Sequence, residues 1–135
     1  MTDPLEPATG AAPVPTLERA LAAGRFTVTA EFGPPRDPDA ERIRAAARLL
    51  AGAVDAVNVT DNQAATVKVS ALACSSLLLG AGLEPILQIT GRDRNLMGVQ
   101  SELLGAWTLG VTTVLALSGD PLKVGPYDGV ATHVR

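Results

Sequence analysis

Polar side chains follow four apolar, β-prone stretches of this sequence, each close to where the stretch ends. In "TVTAEFGPPRD" (27–37) the carboxylate of Glu31 stands just before a Gly-Pro-Pro turn. The corresponding polar residues of the later stretches are Thr60, Gln88, Thr90, Ser118 and Asp120. Carboxylate, amide and hydroxyl groups collected at one place suit the binding of a polar small molecule. A simpler interpretation is that polar residues only mark where each loop begins, but the same change of polarity in four successive strands favours a common site.

The elements that position these groups alternate along the chain. Residues rich in β-formers with period-two alternation predict strands at 26–32, 54–59, 85–90 and 112–118. Apolar residues at helical spacing predict helices at 40–53, 66–82 and 94–110, the first with Asp39 as its N-cap. Strands that alternate with helices in this way predict a parallel sheet in an α/β fold.

Two architectures are compatible with this alternation: a doubly wound open sheet and a (β/α)₈ barrel of the TIM type. No GxGxxG follows the first strand, which disfavours a dinucleotide-binding fold. Each strand also has one apolar and one polar face, whereas strands covered on both faces read as continuous apolar runs. The barrel is therefore favoured. A complete barrel needs about 250 residues, so the chain supplies about its first four strands and three helices.

The alternation also assigns individual side chains to faces. In the first strand it places Phe26, Val28, Ala30 and Phe32 on the helix-packing face, opposite Glu31. In the fourth strand it places Leu115 and Leu117 on that face, so that Ala116, Ser118 and Asp120 would point toward the ligand site.

Composition bounds the class of protein. The chain has 135 residues, of which 47% are hydrophobic and 19% charged, which is typical of a globular domain. The net charge of −3 and the scattered basic residues disfavour nucleic-acid binding. No apolar run is long enough for a membrane span. The lone Cys74 lies in an apolar helical run, which predicts a buried thiol in a reducing cytoplasm. Proline and alanine dominate residues 1–24, which we expect to be a flexible arm, and residues 25–135 then form the half-barrel.

Two charged loops have ordinary structural interpretations. "ITGRDRN" (89–95) is typical of a solvated helix N-terminus with Asp93 as the cap and Arg92 and Arg94 exposed. "LSGDPLKVG" (117–125) is explained by turn chemistry alone, although Gly119 would also permit the backbone to approach a ligand closely. No metal-ligand constellation is apparent.

The stretches "TAEFGPPR", "VNVTDNQAA", "LEPILQITGRDRN", "QSELLGAWTLGV" and "LALSGDPLKVG", taken in this order, resemble the methylenetetrahydrofolate reductase family. The resemblance runs from about residue 25 to 131 and is specific as a set. It implies an eight-stranded α/β barrel that holds FAD at the C-terminal ends of its strands. It also implies that NADH or NADPH reduces the flavin, which then reduces methylenetetrahydrofolate to methyltetrahydrofolate, a step of one-carbon metabolism.

The same resemblance implies roles for single residues. Glu31 takes the position of the general acid that protonates the folate nitrogen as the five-membered ring opens. Asp120 takes the position of the aspartate that contacts flavin and pterin and stabilises the iminium cation. The positions that line the flavin are Thr60, Asp61, Gln63, Gln88, Ser118, Gly119, Asp120 and Ala131.

Alternatives to a complete reductase stay open at this point. The half-barrel could depend on a partner, either a copy of itself in a homo-oligomer or a separate chain that supplies the second half. It could also bind another small molecule, because a fold does not fix a function.

Overall fold

The chain alternates strands and helices, and its computed structural model describes residues 16–130. The helices are α1 (Thr16–Ala22), α2 (Ala40–Leu50), α3 (Ala71–Gly80) and α4 (Leu96–Thr108). The strands are β1 (Thr29–Phe32), β2 (Ala56–Val59), β3 (Pro85–Thr90) and β4 (Thr113–Leu117). Short 3₁₀ turns occupy Gln63–Ala65 and Leu122–Val124. The predicted α/β class is confirmed.

The strand order distinguishes between the two candidate architectures. The four strands within residues 16–130 are parallel and lie in the order β1-β2-β3-β4, so each is paired with its neighbour in sequence. A doubly wound sheet reverses its order at a switch point, where ligands bind. The observed order contains no reversal and is that of consecutive strands in a (β/α)₈ barrel.

One face of the sheet packs against the helices and forms the core. Val57, Val59 and Leu87 from the strands are almost fully buried there. They contact Ile43 of α2 and Leu78 of α3 within one apolar cluster. Since aromatic residues make up only 3% of the sequence, this core is built from aliphatic side chains.

Side-chain caps set the starts of the helices. Asp39 accepts hydrogen bonds from the backbone amides of Glu41 and Arg42, which confirms it as the N-cap of α2. Ser70 caps α3 in the same manner, so α3 begins five residues after the predicted start at 66. Asn95 caps α4 by accepting from Gly98, so the assignment of that cap to Asp93 was wrong.

The opposite face of the sheet, called the open face below, carries the polar side chains. Paired residues of neighbouring parallel strands share a face. Glu31 pairs with Asn58, and Asn58 pairs with Ile86. Two residues further along β3, Gln88 pairs with Leu115 of β4. Glu31, Asn58, Ile86, Gln88, Thr90, Leu115 and Leu117 therefore define the open face.

This register corrects the face predicted for the fourth strand. Leu115 and Leu117 belong to the open face, where they stay 41% and 38% exposed, and not to the helix-packing face. Ala116 pairs with Ile89, so it lies on the side of the sheet that carries the helices, although it is itself exposed. Strict alternation between polar and apolar residues fails here because both faces of β4 carry apolar side chains.

The first strand is shorter than predicted, and an additional helix precedes it. Phe26, assigned to the buried face, lies before β1 and is 85% exposed. Helix α1 occupies part of the segment predicted to be an arm. The backbone amides of Thr16 and Leu17 donate to the Glu84 carboxylate beside β3, which gives the helix a contact that its sequence alone does not reveal. Residues 1–15 lie outside the described residues.

Candidate active site at the C-terminal edge of the sheet

A pocket of about 340 Å³ opens at the C-terminal ends of the strands, where βα loops meet. Ligand sites of barrel folds occupy this position. Its volume falls in the usual range for small-molecule pockets. We call it the mouth pocket, and its lining consists of Glu31, Thr60, Asp61, Gln63, Gln88, Thr90, Leu117, Ser118, Gly119 and Asp120. Every predicted site residue within 16–130 is in this set, and Ala131 lies outside the described residues.

Glu31 is the one carboxylate of β1 in the pocket, and its side chain is exposed. It occupies the next-to-last position of the strand, on the open face. Within residues 16–130 its carboxylate accepts no hydrogen bond and forms no ion pair. A carboxylate held at a strand end without a protein partner is available to a ligand.

Thr60 follows β2 and presents a buried hydroxyl to the pocket. The residue is 3% exposed, and its Oγ1 has no hydrogen-bond partner among the described residues. A buried hydroxyl without a partner costs about 1–3 kcal/mol, so such groups are rare unless something else bonds to them. The hydroxyl is therefore a candidate ligand contact.

Asp61, by contrast, is already occupied by protein partners. It is 4% exposed, and its Oδ2 accepts from the backbone amide of Thr90 at 2.8 Å and from the Thr90 hydroxyl at 3.0 Å. Arg94 pairs with the same carboxylate and also reaches Glu102. Asp61 thus ties the loop after β2 to β3 and α4 while it forms part of the pocket wall.

Arg92 and Asp93 join three of the βα loops. Arg92 donates to both carboxylate oxygens of Asp93, at 2.7 and 2.6 Å, to the backbone carbonyl of Asp120 at 2.9 Å and to that of Asn62 at 3.3 Å. The Arg92 guanidinium holds the pKa of the Asp93 carboxyl below its ordinary value. The Arg92 and Arg94 side chains are only 11% and 16% exposed, so their predicted solvent exposure was wrong.

The loop after β2 has an unusual backbone conformation. Asn62, Ala64 and Ala65 have φ values of 47°, 56° and 48°, in the left-handed region that costs a non-glycine residue about 1–2 kcal/mol. The backbone amide of Ala64 donates to Asp120 Oδ2 at 2.7 Å. Strain of this kind persists only where surrounding contacts impose it and is common at functional sites.

Asp120 is held by these neighbours after a turn that requires glycine. Gly119 has φ of 88°, and a Cβ there would lie 3.2 Å from the Cβ atoms of both Thr90 and Arg92. The turn brings Ser118 and Asp120 to the pocket although neither lies within β4. Asp120 Oδ2 is bonded to Ala64, while Oδ1 accepts no hydrogen bond from the described residues. One oxygen is therefore fixed and the other is available.

Sequence reasoning missed the part that three residues play at this site. The alternation places Leu117 on the helix-packing face, and the pattern of charges indicates that Arg92 and Arg94 are solvated. The signal that could have found the arginines is the Arg-Asp-Arg run immediately after a strand, at the edge where ligand sites form.

A comparison with known protein families matches the part of the chain that contains these residues. A family model described as methylenetetrahydrofolate reductase matches residues 16–132, a range that contains the whole lining of the mouth pocket. Among curated proteins, none matches the chain. Within residues 16–130, no helix has the length and apolar character needed to cross a membrane.

Proposed function

The chain belongs to the methylenetetrahydrofolate reductase family, and we propose that its mouth pocket takes part in reducing 5,10-methylenetetrahydrofolate to 5-methyltetrahydrofolate. Family membership suggests an oxidoreductase of this type. The observation that carries the proposal is that Glu31, near the end of β1, and Asp120, in the loop after β4, line one pocket together with Thr60, whose hydroxyl has no hydrogen-bond partner among residues 16–130. We also propose a cytoplasmic location, where the lone Cys74 would stay reduced.

The residues of the pocket fit a flavin. A flavin ring has hydrogen-bonding groups along one edge and broad apolar faces. The buried Thr60 hydroxyl has no hydrogen-bond partner among the described residues and can bond to such an edge, and Leu117 offers an apolar surface that is 38% exposed. We propose FAD as the cofactor, held by Thr60, Gln63, Gln88, Ser118, Gly119 and Ala131, with Asp61 fixing the loop between them.

When bound, FAD would supply hydride transfer from NADH or NADPH to the one-carbon unit of the folate. Two residues of the chain, Glu31 and Asp120, act on the charges that form in the folate. In the folate, the bond between the bridging carbon and one ring nitrogen breaks, and Glu31 donates the proton that this nitrogen takes up. The bridging carbon is then part of an iminium cation. The Asp120 carboxylate stabilises this positive charge through the oxygen that Ala64 leaves unbonded.

The unpaired edges of the sheet favour a partner. Among the described residues β1 pairs only with β2 and β4 only with β3, and exposed sheet edges recruit further strands. We therefore propose that the active protein is a homo-oligomer or pairs with a chain that supplies a second half-barrel. Light scattering coupled to size-exclusion chromatography tests this: a monomer that melts cooperatively and binds FAD would refute it.

The flavin and the role of Glu31 are tested separately. Titration of the protein with FAD should quench flavin fluorescence, and Thr60→Val should weaken binding because it removes the buried hydroxyl. Full flavin fluorescence at every protein concentration would refute the cofactor proposal and favour a binder of another small molecule.

The two half-reactions, folate reduction and NADH-to-menadione transfer, can be measured separately, and their comparison isolates the role of Glu31 as the acid. Glu31→Gln should slow folate reduction by about 100- to 10,000-fold, the usual contribution of a general acid. NADH-to-menadione transfer, which needs no protonation of folate, should be preserved. Glu18→Gln is the matched control, since Glu18 lies on α1 and outside the mouth pocket. Equal loss of both half-reactions in Glu31→Gln would contradict a role restricted to folate.

A further inference from the structure

We propose that Lys68, Thr60 and Gln63 form a subsite for an anionic oxygen group of a ligand, a phosphate or a carboxylate, on the β1 side of the mouth pocket. The three side chains converge on one point. A Cβ built on Gly33 would lie 3.8 Å from Lys68 Nζ, 3.9 Å from Gln63 Oε1 and 3.9 Å from Thr60 Oγ1. Apart from Gly33 and its two chain neighbours, these are the three nearest heavy atoms to that point, and all are polar.

The backbone holds Lys68 in this position. Its amide donates to Asn62 Oδ1 at 3.1 Å, and the amide of the next residue, Val69, donates to the carbonyl of Pro35 at 2.9 Å. Pro34 and Pro35 are themselves buried. The loop after β2 is thus fastened to the loop after β1, and the lysine is presented beside Gly33.

The ammonium group of Lys68 forms no ion pair with the part of the chain that the structure describes. Within residues 16–130 no carboxylate oxygen lies within 4.0 Å of its Nζ, although the side chain is partly buried. Arg92 and Arg94, the other cations behind the pocket, are already paired with Asp93 and Asp61. A partly desolvated cation gains more from an anionic partner than a solvated one does.

Thr60 provides the second, independent observation. Its hydroxyl is buried, has no partner among the described residues and lies close to the same point as the ammonium. A phosphate or carboxylate oxygen there would accept from Lys68 and from the Thr60 hydroxyl together, and Gln63 can donate through its amide nitrogen. Charge-assisted hydrogen bonds of this kind are about twice as strong as neutral ones.

Gly33 determines whether the space stays open. A methyl group at this position would lie 3.8 Å or more from its nearest neighbours, which is ordinary contact, so alanine fits without a clash. Alanine would nevertheless occupy the place where a ligand oxygen approaches the three groups. Gly33→Ala is therefore a variant that should block the subsite and leave the fold intact.

The identity of the natural ligand rests on the proposed function, which offers two sources of such a group. One is a phosphate of the dinucleotides, and the other is the glutamate carboxylate of the folate. The binding site itself does not depend on flavin, so the first measurement uses the chain without it.

The direct test is an NMR titration of the ¹⁵N-labelled chain with inorganic pyrophosphate and, separately, with glutarate. Amide shifts at Gly33 and Lys68 should saturate. Lys68→Met should raise Kd about tenfold or more, Lys68→Arg should stay near the wild-type value, and Gly33→Ala should also weaken binding. Lys123→Met, which removes one charge from an exposed position outside the pocket lining, should leave Kd unchanged.

Steady-state kinetics then identify the source. A rise in KM for NADPH or NADH, or in Kd for FAD, in Lys68→Met assigns the phosphate, and a rise in KM for the folate assigns the carboxylate, with kcat little changed in each case. Equal Kd values for wild type and Lys68→Met would overturn the subsite, as would an equal loss in Lys123→Met. The two proposals can fail independently. If the protein does not bind FAD but still binds anions in a manner that depends on Lys68, the proposed function is refuted and the subsite is not.

Discussion

Replacing Arg92 by glutamine should destabilise the protein substantially, because this guanidinium holds three loops at once. It contacts Asp93 through two bonds and donates to the carbonyls of Asp120 and Asn62. Removing one partner of a fully buried ion pair costs about 3–5 kcal/mol, and an exposed pair contributes about 0–1 kcal/mol. With Arg92 11% and Asp93 25% exposed, we expect a loss of about 2–3 kcal/mol.

Urea denaturation followed by circular dichroism at pH 7 measures this loss. Arg48→Gln is the matched control, since Arg48 and Glu41 form an ion pair whose side chains are 63% and 65% exposed. The control should lose less than about 0.5 kcal/mol. Thermal unfolding gives a second measure, with a fall in Tm of roughly 3–5 °C per kcal/mol for a chain of this size.

The loss of stability in Arg92→Gln should also depend on pH. Arg92 lowers the pKa of Asp93 in the folded state, so the pair stabilises the protein above the ordinary pKa of an aspartate. That contribution is lost as the pH falls through the lowered folded-state pKa. The difference between wild type and Arg92→Gln should therefore shrink below about pH 4. A difference no larger than that of Arg48→Gln, or one that is constant with pH, would refute this account of the loops.

Two further predictions concern the core. Leu78→Ala should lower the free energy of unfolding by about 2–5 kcal/mol, because Leu78 is 0% exposed. Leu49→Ala is the control and should lower it little, because Leu49 is 83% exposed. Urea denaturation of both variants measures the difference, and equal losses would contradict the assigned core. Burial raises the pKa of the Cys74 thiol to about 11, so iodoacetamide at pH 8 should label it only in urea. Because the folded state disfavours the thiolate, stability should fall between about pH 9 and 11; rapid native labelling would contradict the buried position.

The sequence predicts the overall architecture well because periodicity reports burial directly. Alternating strands and helices predict the parallel sheet, and the polar residues at the strand ends predict which edge carries the pocket. The fourth strand shows where this reasoning fails. Leu115 and Leu117 are apolar yet lie on the open face, so alternation alone could not tell which side of β4 the helices cover.

The charged residues behind the pocket could not be predicted for a different reason. Arg94 pairs with Asp61, and Arg92 donates to the carbonyl of Asp120, contacts that span 33 and 28 positions of the chain. Local sequence treats such side chains as solvated, because their partners are brought near only by the sheet. The same holds for Lys68, whose position beside Gly33 depends on two separate loops.

The polar groups at this edge of the sheet divide into two sets by whether the fold satisfies them. Asp61, Asp93, Arg92 and Arg94 bond to one another or to loop backbone, and they fix the shape of the pocket. Glu31, the Thr60 hydroxyl, the Lys68 ammonium and one oxygen of Asp120 have no hydrogen-bond or ion-pair partner within residues 16–130. Folding gains nothing from leaving these groups unpaired, and a ligand that bonds to the buried Thr60 hydroxyl recovers on binding the cost of burying it. The second set is therefore the one in which substitutions should change affinity or rate more than stability.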